Sequence, residues 1–277
     1  MSIIMKVFSA TYPDVIKFDK KPNEDFYLVS KKLPIFVVAD GVTRSHFEDG
    51  RYAHYSGARK AAEIFCKSAL SYLEERFNPE KIKEAFDFAN QKIKDLNIEA
   101  GINKKLNYIE YDWLDTVGVA GMISGGNLYY GYVGDCGLII FDKNNKKKFQ
   151  TEDMVSPAVK KFIESYKNWK NFASNQKRLI IHKELRNNTD KKGYGTFSGE
   201  NGVKNYYNIG SEKLEEGDLV VFYSDGFLEY IGDKHFIDIL RKGDRKELNK
   251  AMFWKVIKNP IKCGHDRTFI AINFDKK

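Results

Sequence analysis

Ile35-Phe36-Val37-Val38-Ala39-Asp40-Gly41 is the stretch on which the reading of this chain turns. A short apolar run rich in Val, Ile and aromatics reads as a buried strand. It ends on an acid followed by glycine, which puts a carboxylate and a bare backbone carbonyl in one small space. The same grammar recurs along the chain. Leu219-Val220-Val221-Phe222-Tyr223-Ser224 leads into Asp225-Gly226, and Leu128-Tyr129-Tyr130-Gly131-Tyr132-Val133-Gly134 leads into Asp135. Asp266 stands just before Thr268-Phe269-Ile270-Ala271-Ile272, and Glu24-Asp25 just before Phe26-Tyr27-Leu28-Val29. Asp-Gly at a strand end is also ordinary turn chemistry, so one such aspartate signifies little by itself. Four of them, with the acid pair, point to strand tips meeting in an all-oxygen site for a hard cation such as Mg²⁺ or Mn²⁺.

Working outward, Ile3 to Phe8 reads as a further strand. Residues Arg51 to Phe77 carry apolar side chains at helical spacing, and Asn78-Pro79 breaks that helix. Pro79 suits the first turn of the next helix, through Ile82, Ala85, Phe86, Ala89, Ile93 and Leu96. Thr116 to Ile123 and Leu128 to Val133 form a hairpin about Ser124-Gly125-Gly126-Asn127, and Leu138 to Phe141 continues the meander. Glu215-Glu216-Gly217-Asp218 turns into the strand before Asp225. Lys234 to Ile257 is expected to be one helical stretch, and Thr268 to Phe274 a closing strand. Runs of strands with separated helix pairs favour an antiparallel α+β layered fold over a βαβ repeat. Without a linker-like stretch, residues 1–277 read as one domain. Residues 151–213 are the least regular part, either a flap over the site or an insertion with a packing role only.

These residues resemble, in order, the motifs of the metal-dependent, type 2C-like serine/threonine protein phosphatases (the PPM family). Asn23-Glu24-Asp25 resembles the N-terminal acidic motif, and Val37-Val38-Ala39-Asp40-Gly41 the motif of the bridging aspartate and glycine carbonyl. Val133-Gly134-Asp135 resembles "GDS", with Cys136 for Ser; Tyr223-Ser224-Asp225-Gly226-Phe227 resembles "SDGL"; Asp266-Arg267-Thr268 resembles "DN.T". Thr116-Val117-Gly118 is a loose "GST". The resemblance runs from about Asn23 to Asn273. It implies a four-layer α-β-β-α sandwich with the metals at one edge. It also implies a phosphoprotein substrate and hydrolysis of phosphoserine or phosphothreonine by a water activated between two Mg²⁺ or Mn²⁺ ions.

In that scheme Asp40, Asp225, Asp266 and Asp25 carry catalysis. Asp40 bridges the ions, Asp225 and Asp266 bind one, the Gly41 carbonyl binds the other, and Glu24 and Asp25 hold metal-bound waters. Asp135 and Glu229 would hold a third, weaker ion. Ser224 and Cys136 are structural, since no nucleophilic side chain is needed. The chain also departs from the family pattern. Val42-Thr43-Arg44-Ser45 follows the glycine, removing a histidine that some members use, and Arg267 replaces the usual Asn. The family's phosphate-binding arginine falls near Lys20 or Lys21, and Lys20 with Arg44 are the expected phosphate contacts, though lysine lacks the bidentate fork of arginine. These changes motivate the alternative of a catalytically inactive, phosphatase-like binding module.

The composition fits this picture. The 277 residues are 42% hydrophobic, enough for a sizeable core. No apolar run is long enough to cross a bilayer, and the sequence starts without a leader pattern. Cys66, Cys136 and Cys263 are odd in number and scattered, which favours a reducing cytoplasm, and no close Cys/His cluster marks a zinc site. The net charge of +8 invites a nucleic-acid reading. Its densest run, Lys146-Lys147-Lys148 after Asn144-Asn145, lacks the interleaved aromatics of a strand-binding groove and reads as solvated hairpin lysines. The expectation is a cytoplasmic monomer that binds neither membrane nor nucleic acid.

Overall fold

Five strands pair in the order β1-β10-β9-β6-β7 and five more in the order β2-β3-β4-β5-β8, every neighbouring pair antiparallel. The computed structural model describes residues 3–16, 21–42 and 57–276. The first sheet comprises β1 (Ile3–Tyr12), β6 (Gly137–Phe141), β7 (Lys147–Gln150), β9 (Asp218–Tyr223) and β10 (Arg267–Lys276). The second comprises β2 (Asp25–Val29), β3 (Ile35–Gly41), β4 (Thr116–Ser124), β5 (Asn127–Val133) and β8 (Asn208–Lys213). The helices are α1 (Gly57–Glu75), α2 (Ile82–Glu99), α3 (Ile102–Lys105), α4 (Ser156–Ser165), α5 (Ser174–Leu185), α6 (Leu228–Ile231), α7 (Lys234–Lys242), α8 (Arg245–Lys258) and α9 (Pro260–Cys263). Among the described residues no helix is long and apolar enough to cross a membrane.

The run in β3 is apolar without alternation because both of its faces are buried. Ile35, Val37 and Ala39 face Ala61, Ala62, Phe65 and Ala69 of α1 and Phe86 and Ile93 of α2. Phe36 and Val38 point the other way, into a second core shared with Val220 and Phe222 of β9 and Ile270 and Ile272 of β10. On the far side of the first sheet, Val221, Tyr223 and Phe269 pack on Phe236, Ile237 and Leu240 of α7 and Leu248 and Met252 of α8. The layers therefore stack as helices, sheet, sheet, helices, with apolar filling at each junction. Burying one Phe or Leu contributes about 1.5–3 kcal/mol, so these three clusters dominate the stability.

Several boundaries differ from the sequence reading. The first strand runs on to Tyr12, and the expected helix over 51–77 is described from Gly57 and ends at Glu75, residues 51–56 lying outside the described residues. The stretch 234–257 is two helices. Gly243 takes a left-handed φ of 67° that closes α7, and Asp244 caps α8 by accepting a bond from the Glu247 amide at 3.0 Å. Within 151–213, α4, α5 and β8 are regular. The lysine run sits in the β6–β7 hairpin, where Lys148 pairs with Glu215 at 3.0 Å and Asp218 at 2.8 Å.

Candidate metal centre

Antiparallel pairing explains how acids distant in sequence arrive together. The first residue of β2 lies opposite the tip of β3, so Asp25 pairs with Asp40 in register. Tyr223 at the end of β9 pairs with Phe269 near the start of β10, which brings Asp225 and Asp266 to one end of the other sheet. The turn from β5 to β6 crosses between the sheets and carries Asp135. Asp40, Gly41, Asp135, Asp225 and Asp266 line one cleft of about 370 Å³, together with Lys21, Asp14, His265 and, from the 151–213 segment, Val155, Tyr194 and Thr196.

Two glycines permit this closeness. A Cβ on Gly226 would stand 2.1 Å from the Asp266 carbonyl oxygen, so only glycine lets the β9 turn approach the start of β10. A Cβ on Gly41 would stand 2.5 Å from the Ala58 carbonyl oxygen and 2.8 Å from that of Glu24. The backbone of Asp40 is held as well, since the Thr116 hydroxyl donates to its carbonyl at 2.6 Å.

Beneath the cleft Asp25 is fully buried. Its Oδ2 accepts a bond from the Ser224 hydroxyl at 2.6 Å, and Ser224 in turn accepts from the Thr268 amide at 2.9 Å. Asp25 Oδ1 is buried without a hydrogen-bond partner among the described residues. Burial, then the charge of Asp266, pushes the Asp25 carboxyl up to about 7. Burial, then Asp225 and Asp153, does the same for Asp135, also to about 7. Burial and the charges of Asp25, Asp225 and Asp135 hold Asp40 well above the ordinary carboxylate range. Asp40 and Asp135 keep partial access to solvent through the cleft, which softens the effect without reversing it. A site made of oxygens that repel one another, with one buried oxygen unsatisfied, has the chemistry to hold a hard divalent cation.

The fit is uneven across the cleft. Among the described residues no three His, Cys, Asp or Glu side chains are gathered as a ligand set ready for one ion. Asp266 is already engaged. Its Oδ1 accepts the Asp14 amide at 2.7 Å, and its Oδ2 accepts Lys21 Nζ at 2.5 Å and the Glu24 amide at 3.1 Å. Lys21 Nζ also reaches Glu24 Oε2 at 3.0 Å. Burial alone would lower the Lys21 pKa, but Glu24 and Asp266 outweigh it and keep the ammonium charged.

The remaining expected residues divide as follows. Glu24 is buried and turned to Lys21. Glu229 is exposed on α6 and does not line the cleft; its charge bears on Cys263. Lys20 and Arg44, the expected phosphate contacts, lie outside the described residues, as does Thr43. Arg267 is buried and faces the loops, donating to the Cys263 carbonyl at 2.7 Å and the Pro13 carbonyl at 2.6 Å. Cys136 is buried, and burial first, then Asp40, raises its thiol well above the usual range, so it is no nucleophile. Asp153, near Asp135, and Asp14, on Asp266, carry no signal in the sequence; each sits in a loop without strand grammar.

Residues 18–252 match the family model for protein phosphatase 2C. The chain belongs to the protein phosphatase 2C family. No curated protein sequence matches it. Its fold is similar to that of the catalytic domain of the serine/threonine protein phosphatase PstP in complex with two manganese ions, at 13% identity and TM-score 0.64, covering 99% of this chain and 100% of that one. It is also similar to the S. agalactiae serine/threonine phosphatase, at 17% identity and TM-score 0.63, covering 97% and 99%. A third likeness is to RsbX in complex with magnesium, at 14% identity and TM-score 0.52, covering 98% and 96%. At these identities the likeness is one of fold.

The raised carboxyls make a pH prediction. Between 3.8 and about 7 the folded chain keeps protons on Asp25 and Asp135 that the unfolded chain has released. Raising pH through that window therefore favours unfolding of the metal-free protein. Melting in chelator across the window should show the wild type losing more stability with rising pH than Asp135→Asn. Parallel pH profiles for the two proteins would contradict it.

Proposed function

We propose that the protein is a metal-dependent phosphoprotein phosphatase that hydrolyses phosphoserine and phosphothreonine. The observation that carries this reading is the convergence of Asp40, Gly41, Asp135, Asp225 and Asp266 on one cleft, over a buried Asp25 whose Oδ1 has no hydrogen-bond partner among the described residues, in a chain of this family. Mg²⁺ or Mn²⁺ bound there supplies an activated water and neutralises phosphate charge. Asp40, Asp225, Asp135 and the Gly41 carbonyl are the groups that would hold it. Asp25 lies behind them, its Oδ2 fixed by Ser224, so that Oδ1 is free to accept a bond from a water in the cleft. Lys20 and Arg44 remain the proposed phosphate contacts.

The test is hydrolysis of p-nitrophenyl phosphate and of a phosphothreonine peptide. Activity should require added Mn²⁺ or Mg²⁺ and vanish on exhaustive chelation. Turnover that survives chelation would overturn the reading. A second reading, a phosphatase-like binding module, draws on the bond between Lys21 and Asp266. Such a module would give no turnover at any metal concentration.

A further inference from the structure

Asp266 is expected to bind a metal ion, yet three groups of the protein already hold it. A carboxylate has about four lone-pair sites. Three on Asp266 are filled from within the protein, by the Asp14 amide, the Glu24 amide and the Lys21 ammonium. Lys21, Glu24 and Asp266 side chains are only 5%, 1% and 7% exposed, so these are buried charge-assisted bonds, the strong kind. The other half of the cleft is the reverse. Asp40, Asp135 and Asp225 line it together, carboxylate beside carboxylate. Among the described residues the cleft thus has one limb already neutralised and another that is not. An ammonium is a compact point charge, suited to stand where a small cation would.

We propose that Lys21 is a resident cation of this centre. It holds the Asp266 limb, so that a first divalent ion binds on the opposite limb of the cleft and a second reaches Asp266 only by displacing Lys21. The inference rests on the proposed metal-dependent function and redistributes its ligands. Ejecting Lys21 breaks two buried ion pairs and leaves the incoming ion to replace both. The second ion therefore binds weakly, and metal concentration sets how often Asp266 is free.

Isothermal titration of the full, chelator-stripped chain with MnCl₂ tests this, alongside Lys21→Met and Asp266→Asn, each checked for fold by circular dichroism. The wild type should bind one ion, with any second at least about tenfold weaker, a gap of roughly 1.4 kcal/mol. Lys21→Met should tighten that second ion at least tenfold. Asp266→Asn should leave the first ion's affinity within about threefold of wild type. The last two comparisons are independent, so a misfolded Lys21→Met protein leaves the proposal open to refutation by Asp266→Asn and by the wild-type count. Two ions of similar affinity in the wild type, an unchanged second ion in Lys21→Met, or a weakened first ion in Asp266→Asn would each overturn Lys21 as resident cation while leaving the metal-dependent reading intact. No bound ion in any of the proteins would overturn both.

Discussion

Asp40→Asn is expected to abolish Mn²⁺-dependent turnover, with a loss of at least about a hundredfold in kcat, comparable to removing a main electrostatic group from an active site. The asparagine keeps the shape of the side chain. The backbone stays anchored by the Thr116 hydroxyl and by pairing with Val117 across β4. What disappears is one negative charge at the point where β3 meets the cleft. The same change should leave the metal-free protein as stable as the wild type or more so. Asp40 is held well above its ordinary pKa by burial and by the charges of Asp25, Asp225 and Asp135, so its ionised form opposes folding near neutral pH. An inactive variant that melts no lower than wild type in chelator, and gains less from added Mn²⁺, separates a lost ligand from a lost fold. Wild-type turnover in Asp40→Asn at saturating Mn²⁺ would put the chemistry elsewhere.

That the acids meet was readable from the sequence because two simple rules combine. A buried strand shows itself as an apolar run, and antiparallel pairing puts the end of one strand beside the start of its neighbour. Asp40 with Asp25, and Asp225 with Asp266, follow from that alone. Lys21 stands out in the sequence only as a neighbour of the position where the family's phosphate-binding arginine falls, since a lysine in a polar segment carries no sign of burial. Its place on Asp266 depends on a residue 245 positions away. Glu229 was assigned through the resemblance, and the turn of α6 carries it away from the cleft. Strand β8 went unread since Asn208-Ile209-Gly210-Ser211-Glu212-Lys213 offers one apolar residue to an edge position. The helix break at Gly243 was in plain sight, but apolar periodicity continues across it and masks the cap.

The segment 151–213 resolves into two roles, and the second large prediction concerns how it is fastened. Val155, Tyr194 and Thr196 reach the cleft wall, whereas Phe197 is buried against Phe65, with ring centroids 4.4 Å apart, and against Phe86 at 5.2 Å. Phe197 also exchanges backbone bonds, at 2.8 and 3.2 Å, with Thr116, the residue whose hydroxyl braces Asp40. The fastening is electrostatic as well. Arg186 donates to Asp112 Oδ1 at 2.7 Å and to Asp115 Oδ2 at 3.5 Å, with His182 on the other oxygen of Asp112 at 2.7 Å. Arg186, Asp112 and Asp115 are all essentially shut off from water. Arg186→Met keeps the length of the side chain and removes the charge, leaving two buried carboxylates without their main counter-ion. Breaking a buried pair from one side in this way costs about 3–5 kcal/mol, far more than the net worth of the pair itself. Chemical denaturation should show that loss as a lower midpoint with an unchanged slope. Adding Asp112→Asn and Asp115→Asn to the same chain should recover most of it, because the cost lies in the stranded charges. Amide exchange at Thr116 and Val42 should rise in the single variant, since the Val42 amide bonds the Asp115 carbonyl at 3.1 Å. A loss below about 1 kcal/mol would mean that water reaches Asp112 and Asp115 once the guanidinium is gone, as at an exposed ion pair. The segment would then be held by Phe197 and its ladder, by Val203 in the same core and by the pairing of β8 with β5.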